Sequence, residues 1–99
     1  MKIVAVTACP TGIAHTYMAA EQLAKTAKAL GHEIKVETQG AMGIENELSA
    51  ADIKQAQAVI FATDIEVEKK ERFDGLRTIQ VSVKDAIKDP QAIFAKLQA

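Results

Sequence analysis

Cys9 is the one cysteine of the chain, and it heads the string Cys9-Pro10-Thr11-Gly12-Ile13-Ala14-His15-Thr16. A β-rich run ends just before it and an alanine-rich stretch follows, so the string passes from a strand into a helix. At such a junction several successive backbone N–H groups have no intrahelical partner and converge on one spot, with the positive end of the helix dipole behind them. A tetrahedral oxyanion is the natural occupant. Gly12 lets the backbone turn closely around it, Pro10 fixes one φ and removes a donor, and Thr11 and Thr16 offer hydroxyls. No charged residue occurs from Ile3 through Ala20, so no carboxylate repels an anion there. A Cys9 thiolate is itself an anion and is favoured by the same field. Donors that stabilise it would also hold the oxygens of a phosphoryl group attached to sulfur, which gives a mechanism for a covalent phosphocysteine. The plainer alternative is a strand-end thiol packed as a small hydrophobe. His15 is a donor to the anion, a proton carrier or a helix-surface residue.

The elements that must position this loop follow from periodicity. Residues 2–7, KIVAVT, and 57–62, QAVIFA, are nearly continuous apolar runs that suit strands buried on both faces of a parallel sheet. Residues 33–38, EIKVET, alternate, with Ile34 and Val36 on one side and Lys35 and Glu37 on the other, which places that strand nearer an edge. A fourth run, TIQVSV at 78–83, also alternates. Residues 14–30 hold six alanines plus Met18, Leu23 and Leu30, and Gly31 stands as their C-terminal stop. Ser49 with Asp52 forms a capping box that opens a helix through about residue 56, with Ile53 and Ala56 inward. Asp89 and Pro90 read as N-cap and first residue of a last helix that packs Ile93, Phe94 and Leu97 inward. The order β-α-β-α-β-(short α)-β-α with right-handed crossovers predicts an α/β fold. It is a three-layer open sheet of four parallel strands, order 2-1-3-4, with helices on both faces, Rossmann/flavodoxin-like. Ligands of such sheets sit at the carboxyl ends of the strands where the winding reverses, which selects the loops Ala8–His15 and Thr63–Val67.

Composition narrows the function. Residues 1–99 suffice for one domain, and 48% hydrophobic with 25% charged residues is a globular composition with an aliphatic core. A formal net charge of -1 gives no electrostatic footprint for nucleic acid or an acidic membrane. No signal peptide pattern and no stretch of 18 consecutive apolar residues is visible, so no membrane insertion is expected. A lone cysteine fits a reducing, cytoplasmic setting. No cluster of His, Cys and carboxylates has metal-ligand spacing, so neither metal nor cofactor is expected.

Other residues have ordinary readings beside functional ones. Asp64 ends the third strand on the functional edge, as a site residue or as a solvated or capping acid. Tyr17, Met18 and Met42 are expected to pack. Glu66–Arg72, EVEKKER, mixes both signs at helical spacing and is expected to be a solvated helix face with room for partner docking. His32 falls at the opposite end of the sheet and is expected at the surface.

The string CPTGIAHTYMAAE from Cys9 to Glu21 resembles the signature of the fructose-type enzyme IIB domain of the bacterial phosphoenolpyruvate-dependent sugar phosphotransferase system. VETQG at 36–40, AVIFATD at 58–64, Arg72-Phe73 and Gly75 extend the likeness over essentially the whole chain. The resemblance implies a phosphocarrier whose cysteine takes a phosphoryl group from a phosphohistidine on a IIA partner and passes it to a sugar bound by the membrane partner IIC. It implies Cys9 as the nucleophile and Pro10, Thr11, Gly12, Ile13, Ala14, His15 and Thr16 as the phosphate loop. Gln39 and Gly40 would contribute a neighbouring loop, and Asp64 the strand-three loop, toward phosphate or partner. Fructose is the sugar implied by the likeness, with mannose-type and 2-O-α-mannosyl-glycerate substrates as alternatives.

Two enzyme classes compete with this reading. A low-molecular-weight tyrosine phosphatase places its cysteine similarly but needs C-x5-R, and here the sixth position after Cys9 is His15. The Asp-Pro pair at 89–90 belongs to a helix cap and not to a leaving-group acid. A monothiol redox protein is the second, but residue 12 is glycine where a C-x-x-C motif has its second cysteine, and no cis-proline candidate other than Pro10 and Pro90 exists. A non-catalytic anion-binding module is a third reading, against which the retained Cys9 argues.

Overall fold

The computed structural model describes residues 1–9, 13–40 and 43–98. Strand β1 (Lys2–Ala8) lies at the centre of the sheet, between β2 (Glu33–Gly40) and β4 (Ala58–Thr63), both parallel to it. Beyond β4 comes parallel β5 (Arg77–Val81), and beyond β2 comes the short antiparallel β3 (Gly43–Glu45). The sheet order is therefore β3-β2-β1-β4-β5. The four parallel strands lie in the predicted order, but the sheet has five strands rather than four. β3 was not expected because three residues give no periodicity, and the chain needs Gly43, at φ +87°, to enter it.

Alternation on β1 sorts the core into two layers. Ile3 and Ala5 face helix α1 (Ile13–Ala29), α3 (Val83–Lys88) and α4 (Pro90–Gln98), where Leu23, Ala27, Ala86, Phe94 and Leu97 close over them. Val4 and Val6 face α2 (Ala50–Gln55) and a 3₁₀ turn (Lys70–Phe73), with Ile53, Val59, Phe61 and Phe73. Phe61 and Phe73 meet edge to face, with centroids 5.3 Å apart, which pins the turn to the sheet.

The caps confirm most of the helix boundaries. The Ser49 hydroxyl accepts from the Asp52 N–H at 3.0 Å while the Asp52 carboxylate accepts from the Ser49 N–H at 3.0 Å. The Asp89 carboxylate accepts from the Ala92 N–H at 3.3 Å, and Gly31 ends α1 at φ +82°.

Four local expectations change. Residues 82 and 83 leave the strand: Ser82 caps α3 through the Asp85 N–H at 3.1 Å, so two helices follow β5 instead of one. The segment Glu66–Arg72 is no helix face, since only Lys70–Phe73 turns and it does so as a 3₁₀ helix whose entry residue Lys69 has φ 56°. Tyr17 and Met18 do not pack inward but are 40% and 47% exposed. His32 is half-buried and stacks on Phe94 with ring centroids 5.9 Å apart.

Candidate functional site

The carboxyl ends of β1, β2 and β4 form one edge, where Ala8 is paired with Gln39 on one side and Thr63 on the other. From β1 the chain crosses by α1 to β2 on one side, and β4 lies on the other, so the winding reverses at β1. A crevice at this point is where an open α/β sheet binds its ligand. Cys9 follows β1 there, 9% exposed, at the rim of the layer beneath α1.

The first turn of α1 borders the same cleft as the thiol, through His15. The Thr7 hydroxyl donates to the Thr16 carbonyl at 3.1 Å, and both residues are buried, which ties the opening of the helix to the last residues of β1. His15 is exposed and lines one cleft of about 350 Å³ together with Cys9, Met18, Asp64, Val83, Lys84, Ile87 and Lys88. Pro10, Thr11 and Gly12 lie outside the described residues. The helix beginning at Ile13 has 17 residues, about 25 Å of aligned peptide dipoles directed at this edge.

Asp64 sits on the same cleft, and its bonds are those of a brace. Its N–H donates to the Ala8 carbonyl at 3.0 Å, and its carboxylate accepts from the Val83 N–H at 3.2 Å at the start of α3. Gln39 is buried and does not reach toward the thiol side. Its side-chain amide donates to the Glu37 carboxylate at 2.6 Å and to the Glu68 carbonyl at 3.2 Å, and its carbonyl accepts from the Glu68 N–H at 2.8 Å. It thereby fastens the loop that leaves β4 to the end of β2. Gly40 is exposed and pairs with Gly43 at the β2–β3 edge.

Glu37 and Arg72 were not singled out as functional, and they hold this edge together. Glu37 is wholly buried on the α2 face, and its carboxylate receives a two-pronged contact from Arg72 at 2.9 and 3.0 Å and the Leu48 N–H at 2.9 Å. Burial pushes the Glu37 carboxyl up, but Arg72, the Leu48 N–H and the Gln39 amide together outweigh it and hold the carboxyl below the ordinary range. Arg72 also donates to the carbonyls of Lys69 and Glu68. The chain's other arginine, Arg77, donates to the carbonyls of Leu97 and Lys96 at 2.7 and 2.8 Å. Both guanidinium groups are thus committed to the scaffold, and the lining of the thiol cleft contains neither.

A larger concavity, about 480 Å³, lies elsewhere. Its lining includes Lys2, His32, Glu33 and Gln55 at the amino ends of β1 and β2, the length of a seven-residue strand, about 23 Å, from Cys9. Size alone is therefore a poor guide here, and the smaller cleft at the switch point is the candidate site. Among the described residues no group of three His, Cys, Asp or Glu side chains is placed to hold a metal ion.

A family model for the IIB subunit of the phosphotransferase system, described as lactose/cellobiose specific, matches residues 4–96. The chain belongs to this family. Its similarity within the family is to fructose-type members. It is 54% identical over 98 residues to the fructose-like EIIB component 2 of Escherichia coli K12, covering 99% of this chain and 92% of that one. It is 56% identical over 95 residues to the fructose-specific EIIABC component of Bacillus subtilis, covering 96% of this chain but 15% of that much longer protein. A crystal structure described as a predicted fructose-specific IIB from Escherichia coli superposes with a TM-score of 0.92 at 43% identity, covering 97% of this chain and 85% of the other. The chain is thus a phosphotransferase domain of the fructose-type IIB family, and its sheet-and-helix architecture is that of the family.

Proposed function

We propose that Cys9 carries a phosphoryl group from a phosphohistidine on a IIA partner to a sugar, fructose, held by a membrane IIC partner, with residues 1–99 acting as one IIB domain at the cytoplasmic face. The observation that carries this reading is the place of Cys9: it directly follows the central strand at the switch point and shares a cleft with His15 of the first turn of α1. The EIIABC relative, which names A, B and C components in one chain, supports IIA and IIC as the donor and acceptor sides. No helix among the described residues is long and apolar enough to cross a membrane, which suits a domain that meets its sugar on another component.

In the first step the Cys9 thiolate attacks phosphorus in line, the S–P bond forms as the P–N bond of the phosphoimidazole breaks, and the electron pair returns to the imidazole nitrogen. The proton lost by the thiol is balanced by the proton gained at that nitrogen. In the second step a sugar hydroxyl attacks the same phosphorus, the S–P bond breaks, and the thiolate is regenerated as the hydroxyl proton departs. In this reading the loop from Pro10 to Thr16 would hold the three equatorial oxygens through its backbone N–H groups, so the chemistry is positioning and electrostatics.

The test is incubation with phosphoenolpyruvate, the general phosphotransferase proteins and a IIA domain, followed by intact-mass measurement. One added phosphoryl group is expected, and none in Cys9→Ser. An unchanged wild-type mass with donors shown to be competent would overturn the assignment.

A further inference from the structure

The thiol cleft has a charge of its own that differs from that of the whole chain. Its ionic lining groups are Asp64, whose carboxylate is turned to the Val83 N–H, and the two exposed lysines Lys84 and Lys88 on α3. The lysines stand four residues apart and therefore on one face of the helix. Neither is in an ion pair among the described residues, whose three salt bridges are Lys35–Asp52, Lys69–Glu47 and Arg72–Glu37. The β2 side of the same edge carries both signs: Glu45, Glu47 and Glu68 are exposed there, and so are Lys70 and Lys69, which pairs with Glu47. Met18, Val83 and Ile87 add apolar side chains to the same lining.

We propose that Lys84 and Lys88 speed the transfer of the phosphoryl group to Cys9, by drawing the phosphoryl dianion of the IIA donor into the α1–α3 cleft. This rests on the reading of Cys9 as the phosphoacceptor. Both arginines are locked into the scaffold, so the mobile positive charge available at the thiol is that of these lysines. A lysine is a point charge on a flexible stem, able to follow a moving phosphoryl group without clamping it bidentately. The charge of the approaching group separates the donor step from the acceptor step. A phosphohistidine arrives as an anion and gains from cations on its approach, whereas the sugar arrives uncharged. Complementary charge at the rim acts mainly on the rate of encounter and on its salt dependence.

The experiment follows the rate at which phosphocysteine appears, by rapid quench and intact mass, with limiting amounts of a IIA domain phosphorylated from phosphoenolpyruvate. Wild type is compared with Lys84→Gln/Lys88→Gln, with Lys84→Arg/Lys88→Arg, and with Lys25→Gln/Lys54→Gln, which removes the same net charge from exposed sites outside the cleft. The cleft glutamine pair is expected to lower the second-order rate constant about tenfold at low salt and to flatten its salt dependence. The arginine pair and the distant pair should keep wild-type behaviour. Equal rates and salt slopes for wild type and the cleft glutamine pair would overturn the role of the lysines while leaving Cys9 as acceptor. Loss of rate in the distant pair to the same extent would assign the effect to net charge and overturn it as well. Absence of phosphorylation in wild type would overturn the phosphocarrier reading itself.

Discussion

Glu37 is the residue on which the functional edge most depends without taking part in any chemistry. Its carboxylate is removed from water and repaid by Arg72, Leu48 and Gln39, so removing a single partner leaves a buried charge rather than merely one bond fewer. Arg72→Met is expected to cost about 3 kcal/mol in urea unfolding, and more than Glu37→Gln, because the half-buried guanidinium can still reach solvent when its partner is gone. The pH dependence has a definite sign. A folded-state pKa held below the unfolded value of about 4.3 gives stability that is present above that value and is lost as pH falls through the folded one. Wild type should therefore lose stability on acidification below about pH 4, and Glu37→Gln should lose less over the same interval. An acid limb of equal depth in both proteins would show that Glu37 is not the group responsible. In the sequence this pair is invisible: the alternation EIKVET groups Glu37 with exposed Lys35, and nothing local announces an arginine 35 positions away. The place of Cys9 between a buried strand and a long helix was legible because its signal is local, an apolar run, a proline, a glycine and an alanine-rich stretch in one short string.

Among the elements, α3 is the one whose existence depends most on borrowed partners. Six residues make barely more than one and a half turns, too few to be stable without tertiary support. The Ser82 hydroxyl takes the Asp85 N–H and the Asp64 carboxylate, reaching from the end of β4, takes the Val83 N–H. Asp64→Ala is expected to destabilise the protein by about 1 kcal/mol, while Asp64→Asn, which keeps an acceptor oxygen, should cost only a few tenths. Urea titrations of the two variants check this, and equal losses would mean that the carboxylate charge, not its hydrogen bond, is what α3 requires. The cap of α3 escaped notice because TIQVSV continues a clean two-residue alternation through Ser82 and Val83. The period of the strand masks the capping residue that ends it. The longer elements α1, β1 and β4 carry enough residues for their period to declare itself, and the capping box at Ser49 and Asp52 supplied a boundary that periodicity could not. The turn at Lys70–Phe73 misled in the opposite way, since charges at helical spacing describe any exposed segment, and only Phe73 packing on Phe61 decides how far it winds.

At the scale of the whole molecule, the thiol cleft and the 480 Å³ concavity lie at opposite ends of the sheet, and this separation bears on what the domain can do alone. The thiol cleft, at about 350 Å³, is open and lined by one carboxylate already engaged, two lysines, His15 and apolar side chains besides the thiol. Recognition of a sugar requires several fixed donors and acceptors converging on its hydroxyls, because a site that leaves buried polar groups unpaired gains little affinity. Among the described residues the cleft lacks such a set, and the larger concavity is too far from Cys9 for a hydroxyl bound there to reach the phosphorus. The absence of an arginine from the cleft acts in the same direction, for without a bidentate clamp on the equatorial oxygens attack by water is poorly supported. A phosphoryl group on Cys9 should accordingly persist in buffer and be indifferent to free sugar. Phosphorylated protein, separated from its donor, is expected to lose its label at the same slow rate with or without fructose, and to lose it quickly only when membranes containing a IIC partner are added with the sugar. Acceleration by fructose alone would reveal a sugar site within these 99 residues and would move the acceptor step from the membrane partner onto this domain.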